Sequence, residues 1–366
     1  WVCDYYAAEA ERMLRHERIA VDARESYVRF DPLGVVLAIM PWNFPFWQIF
    51  RCAAPTLMAG NAMILKHAAN VSGCALAIEE IFTRAGFPQG LFRTVLVRGS
   101  AASRLVEHPL VAAVTLTGSA PAGSDVAGRA GALIKKCVLE LGGSDPYLVL
   151  RDADLETAPQ SCVNSRLINS GQSCIAAKRF IVEQPVYEAF VERFVELMKN
   201  RRVGDPLAEG TEVGPLARYD LREELHRQVE SSIAQGAQLL LGGRMPAGPG
   251  AFYPPTVLSD VRPGMTAFDE ELFGPVAALI PAADENEMVA LANASPFGLG
   301  AAIYSSDIKK AERLAGQIES GNVFINSFVK SDPRLPFGGV KMSGYGRELS
   351  HYGIKEFVNI KTVYIS

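Results

Sequence analysis

The stretch Val35-Val36-Leu37-Ala38-Ile39-Met40 decides the fold class, because six consecutive apolar residues end abruptly at Pro41. A run this short, bounded by turn formers, is typical of a strand that is buried on both faces. The chain after it predicts a helix over 46–59, a strand over 62–66, a helix over 71–85, and strands over 92–97 and 112–117. Strands that alternate with helices at this spacing predict βαβ units and a parallel sheet covered on both faces.

A second set of α/β elements follows the pair Gly142-Gly143, which predicts a hinge between domains. The chain there predicts strands over 147–150, 179–182 and 238–241, and helices over 155–169, 185–200 and 218–235. Short alternating segments at 19–21 and 26–30 predict a hairpin near the start. The segment 356–365 alternates like an exposed strand, so we expect it to join this hairpin or a partner's sheet.

Composition excludes several classes of protein. The chain has 366 residues, 36 Lys+Arg against 40 Asp+Glu, and 49% hydrophobic residues, which rules out disorder and suggests two or three domains. The balanced charge argues against a nucleic-acid partner, and no apolar run approaches a membrane span. Six cysteines without a Cys-x-x-Cys pair indicate neither a disulfide scaffold nor a metal site. We expect a cytoplasmic enzyme without a metal; the start at Trp1, without Met, predicts a truncated chain.

Cys174 is the candidate nucleophile. It follows the polar turn Asn169-Ser170-Gly171-Gln172-Ser173 and precedes the helix-forming Ile175-Ala176-Ala177, so its thiol can be exposed and its anion stabilised by backbone N–H groups. The cysteines inside apolar patterns are expected to be inert: Cys52, Cys74, Cys137 and Cys162.

Glu140 is the candidate base, because none of the five histidines is well placed. It ends an apolar strand beside Leu141, where partial desolvation raises the pKa of a carboxyl toward the range of a general base. A capping or salt-bridged structural glutamate is the alternative interpretation.

The turn Thr117-Gly118-Ser119 follows a strand and opens a helix, whose N–H groups can face a pyrophosphate. It lacks the G-x-G-x-x-G pattern, so a plain strand–helix turn is an equal alternative. Lys66, at the end of a strand, suits a ribose or phosphate contact; taken alone it is a surface lysine.

Five ordered motifs carry a resemblance to a known family: Pro41-Trp42-Asn43-Phe44-Pro45, Leu139-Glu140-Leu141-Gly142-Gly143, Gly171-Gln172-Ser173-Cys174, Glu270-Glu271-Leu272-Phe273-Gly274-Pro275 and Pro336-Phe337-Gly338-Gly339-Val340-Lys341. Along its whole length the chain resembles the aldehyde dehydrogenase superfamily. Separations of 34 residues from Glu140 to Cys174 and 131 from Glu140 to Glu271 fit that family. Lys66-His67-Ala68 and Glu348-Leu349-Ser350-His351 make it similar to the NAD(P)-dependent succinate-semialdehyde dehydrogenases.

The resemblance implies an α/β fold of two doubly wound parallel-sheet domains plus a β oligomerisation arm. The NAD(P)-binding domain is expected at 1–16 and 33–140, with an N-terminal part missing. The catalytic domain is expected at 141–352, and the arm at 17–32 and 353–366. The implied assembly is a homodimer or homotetramer.

The resemblance also implies roles for residues. Cys174 attacks the aldehyde, Asn43 and the Cys174 backbone N–H hold the oxyanion, and Glu140 activates water. The residues implied for NAD or NADP binding are Met40, Pro41, Trp42, Lys66, Ala69, Gly118, Ser119, Leu141, Glu271 and Phe273. Gly338 and Gly339 are expected to be backbone hinges rather than ligands.

A semialdehyde acid needs a cation for its far carboxylate, and Arg51 matches the position where succinate-semialdehyde enzymes carry one. Gln48 and Ser331 are the other implied substrate contacts. The sequence departs from the pattern at Ile168, six residues before Cys174, which leaves room for a more apolar aldehyde. Ala69 replaces the glutamate that favours NAD, so nothing repels a 2′-phosphate and both cofactors stay open.

Two other functions stay open beside an aldehyde dehydrogenase for succinate semialdehyde or another short aldehyde. A non-catalytic structural relative commonly loses the nucleophile or the base, whereas this chain keeps both. A cysteine hydrolase without cofactor leaves the Glu271 motif unused.

Overall fold

The computed structural model describes residues 1–366, apart from the side chain of Ser100. The chain divides into two compact units. The first unit contains Trp1–Leu141, Ser331–Gly338 and Gly344–Ser366, and the second contains Gly142–Lys330 and Gly339–Ser343. The finer domain assignment made from the sequence stays a prediction.

The elements are named in chain order. The N-terminal part contains α1 (Val2–Met13), β1 (Glu17–Arg18), β2 (Glu25–Pro32), β3 (Val35–Met40), α2 (Trp47–Met58), β4 (Ala62–His67), α3 (Ser72–Arg84), β5 (Phe92–Thr94), α4 (Gly99–Val106), β6 (Val111–Thr117), α5 (Ala120–Ala132) and β7 (Lys136–Glu140). The middle contains β8 (Pro146–Val149), α6 (Ala158–Leu167), β9 (Arg179–Glu183), α7 (Tyr187–Lys199), α8 (Tyr219–Ala234), β10 (Gln238–Leu241), β11 (Thr256–Ser259), α9 (Thr266–Asp269), β12 (Val276–Ala282), α10 (Glu285–Asn293), β13 (Phe297–Gly298), β14 (Gly300–Tyr304), α11 (Ile308–Ala315) and β15 (Asn322–Ile325). The C-terminal part contains β16 (Val340–Lys341), β17 (Gly344–Tyr345), α12 (Ser350–Gly353) and β18 (Val358–Ile365).

The first unit is built on a six-stranded sheet with the order β17-β7-β6-β3-β4-β5. All neighbours in it are parallel except the edge strand β17, which runs antiparallel to β7. The chain moves from β3 outward to β4 and β5 and then returns to the other side of β3 at β6. In open α/β sheets ligands bind beyond the carboxyl ends of the strands at such a reversal. Met40 and Thr117 end the two strands that flank it.

A separate three-stranded antiparallel sheet in the same unit has the order β1-β2-β18. β18 pairs with β2 from Val358 opposite Pro32 to Ile365 opposite Glu25, so the terminal strand joins the early hairpin as expected. The predicted strand over 19–21 is wrong, because the first strand of the hairpin is Glu17–Arg18. Ile19 and Val21 are half exposed, so their alternation follows no buried face.

The second unit is built on a seven-stranded sheet with the order β10-β11-β12-β9-β8-β14-β15. Only the edge strand β10 is antiparallel. Apolar side chains are buried on both faces: Leu148, Ile181 and Ile303 face one cluster, and Tyr147, Phe180 and Ala302 face the other. Covering both faces explains why the strands read as continuous apolar runs. Among the described residues, no helix combines the length and apolar character needed to cross a bilayer.

Candidate active site

Cys174 differs from most of the other cysteines in its surroundings. The described cysteines form no disulfide bond, and Cys52, Cys137 and Cys162 are buried. Burial raises the pKa of the Cys137 thiol to about 11 and also raises the pKa of Cys52 and Cys162. A raised pKa keeps these three thiols protonated at neutral pH, and their inertness stays a prediction. Cys174 is half-buried, and it comes three residues after a segment of unusual backbone.

The turn before Cys174 contains three consecutive residues in the left-handed region. Asn169, Ser170 and Gly171 have φ of 51°, 55° and 78°. A Cβ on Gly171 would lie 2.2 Å from the Gly274 carbonyl oxygen, so only glycine fits there. The other two residues each cost about 1 kcal/mol or more in backbone strain. Strain of this kind persists where packing enforces it, and it is concentrated at functional sites.

The residues after Cys174 do not form the helix that their propensities favour. They make a turn, and β9 begins at Arg179. The expectation that a helix start stabilises the thiolate is therefore wrong. The carbonyls of this turn instead accept hydrogen bonds from Lys178 Nζ, at 3.0 Å for Ser173, 2.9 Å for Cys174 and 3.1 Å for Ala176.

Glu140 is buried at the end of β7, with a relative exposure of 2%. Neither of its carboxylate oxygens has a hydrogen-bond partner among the described residues. Burial, and then the charge of Glu348, raises the pKa of Glu140 well above its ordinary value, and Arg51 and Arg347 oppose that shift. The capping and salt-bridge alternatives have no contact to support them, and the environment suits a general base.

Arg51 and Glu348 form a buried ion pair in the first unit, through Arg51 Nε and Glu348 Oε2. Their side chains are 3% and 4% exposed. The Arg51 guanidinium also stacks on Phe337, with its carbon 4.6 Å from the ring centroid. The residue predicted to bind the substrate carboxylate thus already has a carboxylate partner within the chain, and its contact with substrate stays a prediction.

Asn43 lies in the turn after β3, where Gln48 contacts its side-chain amide and His67 binds the backbone of the same turn at Pro45. Gln48 Nε2 donates to Asn43 Oδ1 over 3.1 Å, which leaves the Asn43 Nδ2–H₂ group as the donor. The Nε2 atom of His67 is 3.0 Å from the Pro45 carbonyl oxygen, and the Ala68 N–H donates to His67 Nδ1. We assign the Nε2–H tautomer from this network. Gln48, predicted as a substrate contact, is almost fully buried and holds Asn43; its contact with substrate stays a prediction.

Glu271 lies in the second unit beside the double glycine. Its Oε1 accepts from the Gly143 N–H at 3.1 Å and lies 3.5 Å from Lys178 Nζ. A Cβ on Gly142 would lie 2.4 Å from Glu271 Oε2, and a Cβ on Gly143 would lie 2.7 Å from the Cys174 carbonyl oxygen. Both glycines are therefore required by close approach within this unit, a role that a hinge interpretation does not capture.

The profile of the aldehyde dehydrogenase family matches residues 1–363. The chain belongs to the aldehyde dehydrogenase family. The predicted family and the predicted α/β fold are confirmed.

Relatives of this aldehyde dehydrogenase agree with the assignment. Succinate semialdehyde dehydrogenase [NAD(P)+] of Escherichia coli strain K12 is 52% identical over 363 residues, which cover 99% of this chain and 79% of the relative. The crystal structure of succinic semialdehyde dehydrogenase from Streptococcus pyogenes in complex with NADP+ has a TM-score of 0.97 and 38% identity, covering 100% of this chain and 80% of that one. An aldehyde dehydrogenase from Mycobacterium tuberculosis complexed with NAD+ has a TM-score of 0.97 and 34% identity, with coverage of 100% and 76%.

The residues of this aldehyde dehydrogenase that were predicted to bind cofactor fall into both units. The first unit carries most of them at the carboxyl edge of its sheet, and the second carries two. Those of the first unit are Met40, Pro41, Trp42, Lys66, Ala69, Gly118, Ser119 and Leu141, and those of the second are Glu271 and Phe273. No group of acidic, His and Cys side chains in the described part of the chain is arranged to hold a metal ion.

The carboxyl edge of the sheet in the first unit has features that suit a phosphorylated ligand. Lys66, half-buried at the carboxyl end of β4, makes no hydrogen bond or ion pair with any described residue. Burial lowers the pKa of its ammonium, which is the expected response of a buried cation without an anion. α5 opens at Ser119, and a Cβ on Gly123 would lie 2.5 Å from Leu141 Cδ2, so glycine lets this helix pack closely on the end of the sheet.

Two residues that matter for this site were missed by the sequence reading. Lys178 is followed at once by Arg179, and a pair of basic residues before a strand is typical of a surface, yet Lys178 is fully buried. Glu348 belongs to a motif near the end of the chain, and its pairing with Arg51 depends on tertiary contact. The only sequence signal for burial of Lys178 is the apolar run Ile175-Ala176-Ala177 before it, beside which a charged residue needs partners.

Proposed function

We propose that this chain oxidises aldehydes to carboxylic acids with NAD+ or NADP+, and that succinate semialdehyde is its preferred substrate. The observation that carries the chemistry is the half-buried Cys174 thiol, which follows the strained residues 169–171 and lies in a turn whose carbonyls are bound by the buried ammonium of Lys178. The names of the relatives support the substrate and both cofactors.

The first step is addition of the Cys174 thiolate to the aldehyde carbon. A C–S bond forms, and the π electron pair of the carbonyl moves onto its oxygen. The proposed donors to this oxyanion are the Cys174 backbone N–H and the Asn43 Nδ2–H₂ group. One such donor contributes on the order of 3 kcal/mol to transition-state stabilisation. Gln48 fixes the Asn43 amide in the donating orientation.

NAD(P)+ supplies the hydride acceptor that turns the Cys174 adduct into a thioester. The proposed cofactor residues are Lys66 for ribose or phosphate, the start of α5 at Gly118 and Ser119 for the pyrophosphate, and Glu271 for the other ribose. Trp42 and Phe273 are proposed to flank the cofactor. Two features of this chain fit such a ligand. The half-buried ammonium of Lys66 has no anionic partner among the described residues, and no side chain caps the N–H groups at the start of α5.

Glu140 is proposed to complete the reaction as general base. Water attacks the thioester carbon while Glu140 takes a proton from it, the C–S bond breaks, and the acid and the Cys174 thiolate are released. A carboxyl with a raised pKa is suited to this task, because it is a stronger base than an exposed glutamate.

Arg51 and Ser331 are proposed to hold the far carboxylate of the semialdehyde. Arg51 is buried and cationic, and its partner Glu348 keeps it charged without solvent. Ile168, half-buried in the turn before Cys174, favours the alternative of a more apolar aldehyde, because it offers no polar group there. Both substrates belong to the same reaction class.

Assembly through the β arm is also proposed. β18 lies at the edge of its three-stranded sheet and exposes Ile360 and Tyr364, by 61% and 54%. An exposed edge with apolar side chains is a template for pairing with a second copy. We therefore propose a homodimer or homotetramer that pairs through residues 17–32 and 353–366. The proposed location is the cytoplasm, and no nucleic-acid or membrane partner is proposed.

A panel of aldehydes with each cofactor tests the proposed function by the absorbance of reduced nicotinamide. We expect succinate semialdehyde to give the highest kcat/KM and Cys174→Ala to abolish reduction. Cys74→Ala, which removes a thiol that is also half-buried, is the matched control and should keep activity. Unchanged turnover by Cys174→Ala would refute the mechanism. Ester cleavage without any cofactor reduction would favour the hydrolase, and no turnover at all would favour a structural relative.

A further inference from the structure

Lys178 carries a buried charge that the mechanism above does not use. Its side chain has 0% exposure, and its Nζ lies within 3.1 Å of three backbone carbonyls, those of Ser173, Cys174 and Ala176. An ammonium has three N–H donors and no acceptor, so three carbonyls satisfy it fully. All three hydrogen bonds of this buried cation therefore go to the turn that carries the nucleophile.

The geometry of the peptide bond links this cation to the proposed oxyanion donor. In a trans peptide the carbonyl of one residue and the N–H of the next point to opposite sides of the same plane. The peptide bonds of the described turn around Cys174 are trans. The Ser173 carbonyl points at Lys178 Nζ, so the Cys174 N–H points away from the lysine.

A charge at the carbonyl also changes the strength of the N–H across the same peptide. Hydrogen bonds in a chain polarise one another, and the effect is larger in a low-dielectric interior. An ammonium draws electron density toward the Ser173 oxygen, which makes the Cys174 N–H a stronger donor. A neutral donor in the same place would polarise the Ser173–Cys174 peptide in the same direction but less strongly.

The turn around Cys174 offers its carbonyls to a cation because it is not an α-helix. The left-handed residues Asn169, Ser170 and Gly171 stop α6 from continuing, and the next regular element after Cys174 is β9. The Ser173 carbonyl accepts from the Ala176 N–H at 3.2 Å as well as from Lys178. A second buried cation acts on the other side of the turn, where Arg166 Nη2 donates to the Gly171 carbonyl at 2.7 Å. Charged donors thus fix the backbone on both sides of the thiol.

We propose that Lys178 is a positioning residue for the addition step: through the Ser173–Cys174 peptide it orients and polarises the Cys174 backbone N–H that receives the oxyanion. Lys178 keeps its proton throughout, and it touches neither substrate nor the reacting atoms. The proposal rests on the proposed function. Glu271 Oε1, 3.5 Å from Lys178 Nζ, places a carboxylate beside this ammonium in addition to the three carbonyls.

Two reactions of Cys174 separate this role from a merely structural one. Acylation by p-nitrophenyl acetate creates an oxyanion and needs no cofactor, whereas alkylation by iodoacetamide needs the thiolate but creates no oxyanion. In Lys178→Met we expect acylation to slow by about 30-fold, a part of the hundredfold or more that loss of a whole oxyanion donor costs. Alkylation should stay within threefold, and the KM for the ester should change little.

Lys341→Met is the matched control, because Lys341 Nζ also donates to two carbonyls of the second unit, those of Asn293 and Ser295. It should leave both reactions unchanged, and Lys178→Arg should restore most of the acylation rate. If Lys178→Met does not melt cooperatively, Lys178→Gln replaces it, since its amide donates without charge. Equal losses in acylation and alkylation, or acylation within twofold of the unmodified chain, would overturn the proposal. If the unmodified chain gives no aldehyde-dependent cofactor reduction, the proposed function fails instead.

Discussion

Arg51 and Glu348 form an ion pair inside the first unit, and both side chains are almost fully buried. Both charges act on the buried carboxyl of Glu140: Glu348 raises its pKa and Arg51 lowers it. A buried cation and anion are each costly to desolvate, and together they offset much of that cost. The pair therefore sets both the electrostatics around the proposed base and the state of the arginine proposed to bind substrate.

Removing one partner of this pair should cost stability. Arg51→Ala leaves Glu348 buried without its cation, and we expect the free energy of unfolding in urea to fall by about 3 kcal/mol. Arg129→Ala removes an exposed arginine that pairs with Glu107 and Asp125, and it should cost no more than about 1 kcal/mol. Equal decreases in the free energy of unfolding in Arg51→Ala and Arg129→Ala would show that breaking the buried pair costs no more stability than breaking an exposed one.

Arg51→Ala also tests the proposed contact between Arg51 and the substrate carboxylate, measured on folded protein. Loss of a charged bidentate contact should lower kcat/KM for succinate semialdehyde by roughly tenfold to hundredfold relative to that for butanal. Using the ratio within one variant cancels any loss of folded enzyme. Arg334→Ala, which removes an exposed arginine near Ser331, is the control. An unchanged ratio in Arg51→Ala would exclude Arg51 from substrate binding.

Activity should depend on the protonation of Glu140. Because burial raises its pKa well above 4.5, the carboxylate that accepts a proton from water is lost as the pH falls through that raised pKa. We expect kcat to decline on the acidic side at a pH clearly above 4.5, and Glu140→Gln to accumulate the thioester after a burst of reduced cofactor. A steady-state profile and a stopped-flow burst measure the two. A flat profile between pH 5 and pH 8 would contradict the assignment.

Gly142→Ala should weaken cofactor binding through Glu271. The added Cβ would lie 2.4 Å from Glu271 Oε2, so the carboxylate has to move. We expect the KM for the cofactor to rise by about tenfold, the effect of losing one charged hydrogen bond, with a smaller change in the KM for aldehyde. Gly128→Ala, at a helical position with open space around it, is the control. The idea fails if both alanines leave the cofactor KM unchanged.

Ala69→Glu should shift cofactor preference toward NAD+. Ala69 is exposed just beyond β4, and a carboxylate there repels a 2′-phosphate and can accept from a 2′-hydroxyl. The ratio of kcat/KM for NAD+ over NADP+ should rise by about tenfold or more. Asn70→Glu places the same charge one residue along and should change the ratio less. Equal shifts in both variants would point to net charge rather than position.

Much of this protein follows from its sequence. The six-residue apolar strand ending at Pro41, repeated with helices between, determined a parallel α/β fold, because strands buried on both faces must be apolar throughout. Residue chemistry alone marked Cys174 and Glu140, since a thiol in a polar turn and a carboxyl at the end of an apolar strand are both unusual. Local errors came where no buried face enforces the pattern, as at Ile19 and Val21.

Only the tertiary structure decided where the buried charges go. Lys178 resembles an ordinary lysine in the sequence, and only the folded turn around Cys174 brings three carbonyls to its Nζ. The sequence alone does not show that Arg51, the proposed substrate ligand, also pairs with Glu348 from the far end of the chain. Composition and periodicity report how much surface a segment buries, but a charge–charge or charge–carbonyl contact depends on which distant atoms share its cavity. That information arises only when the chain has folded.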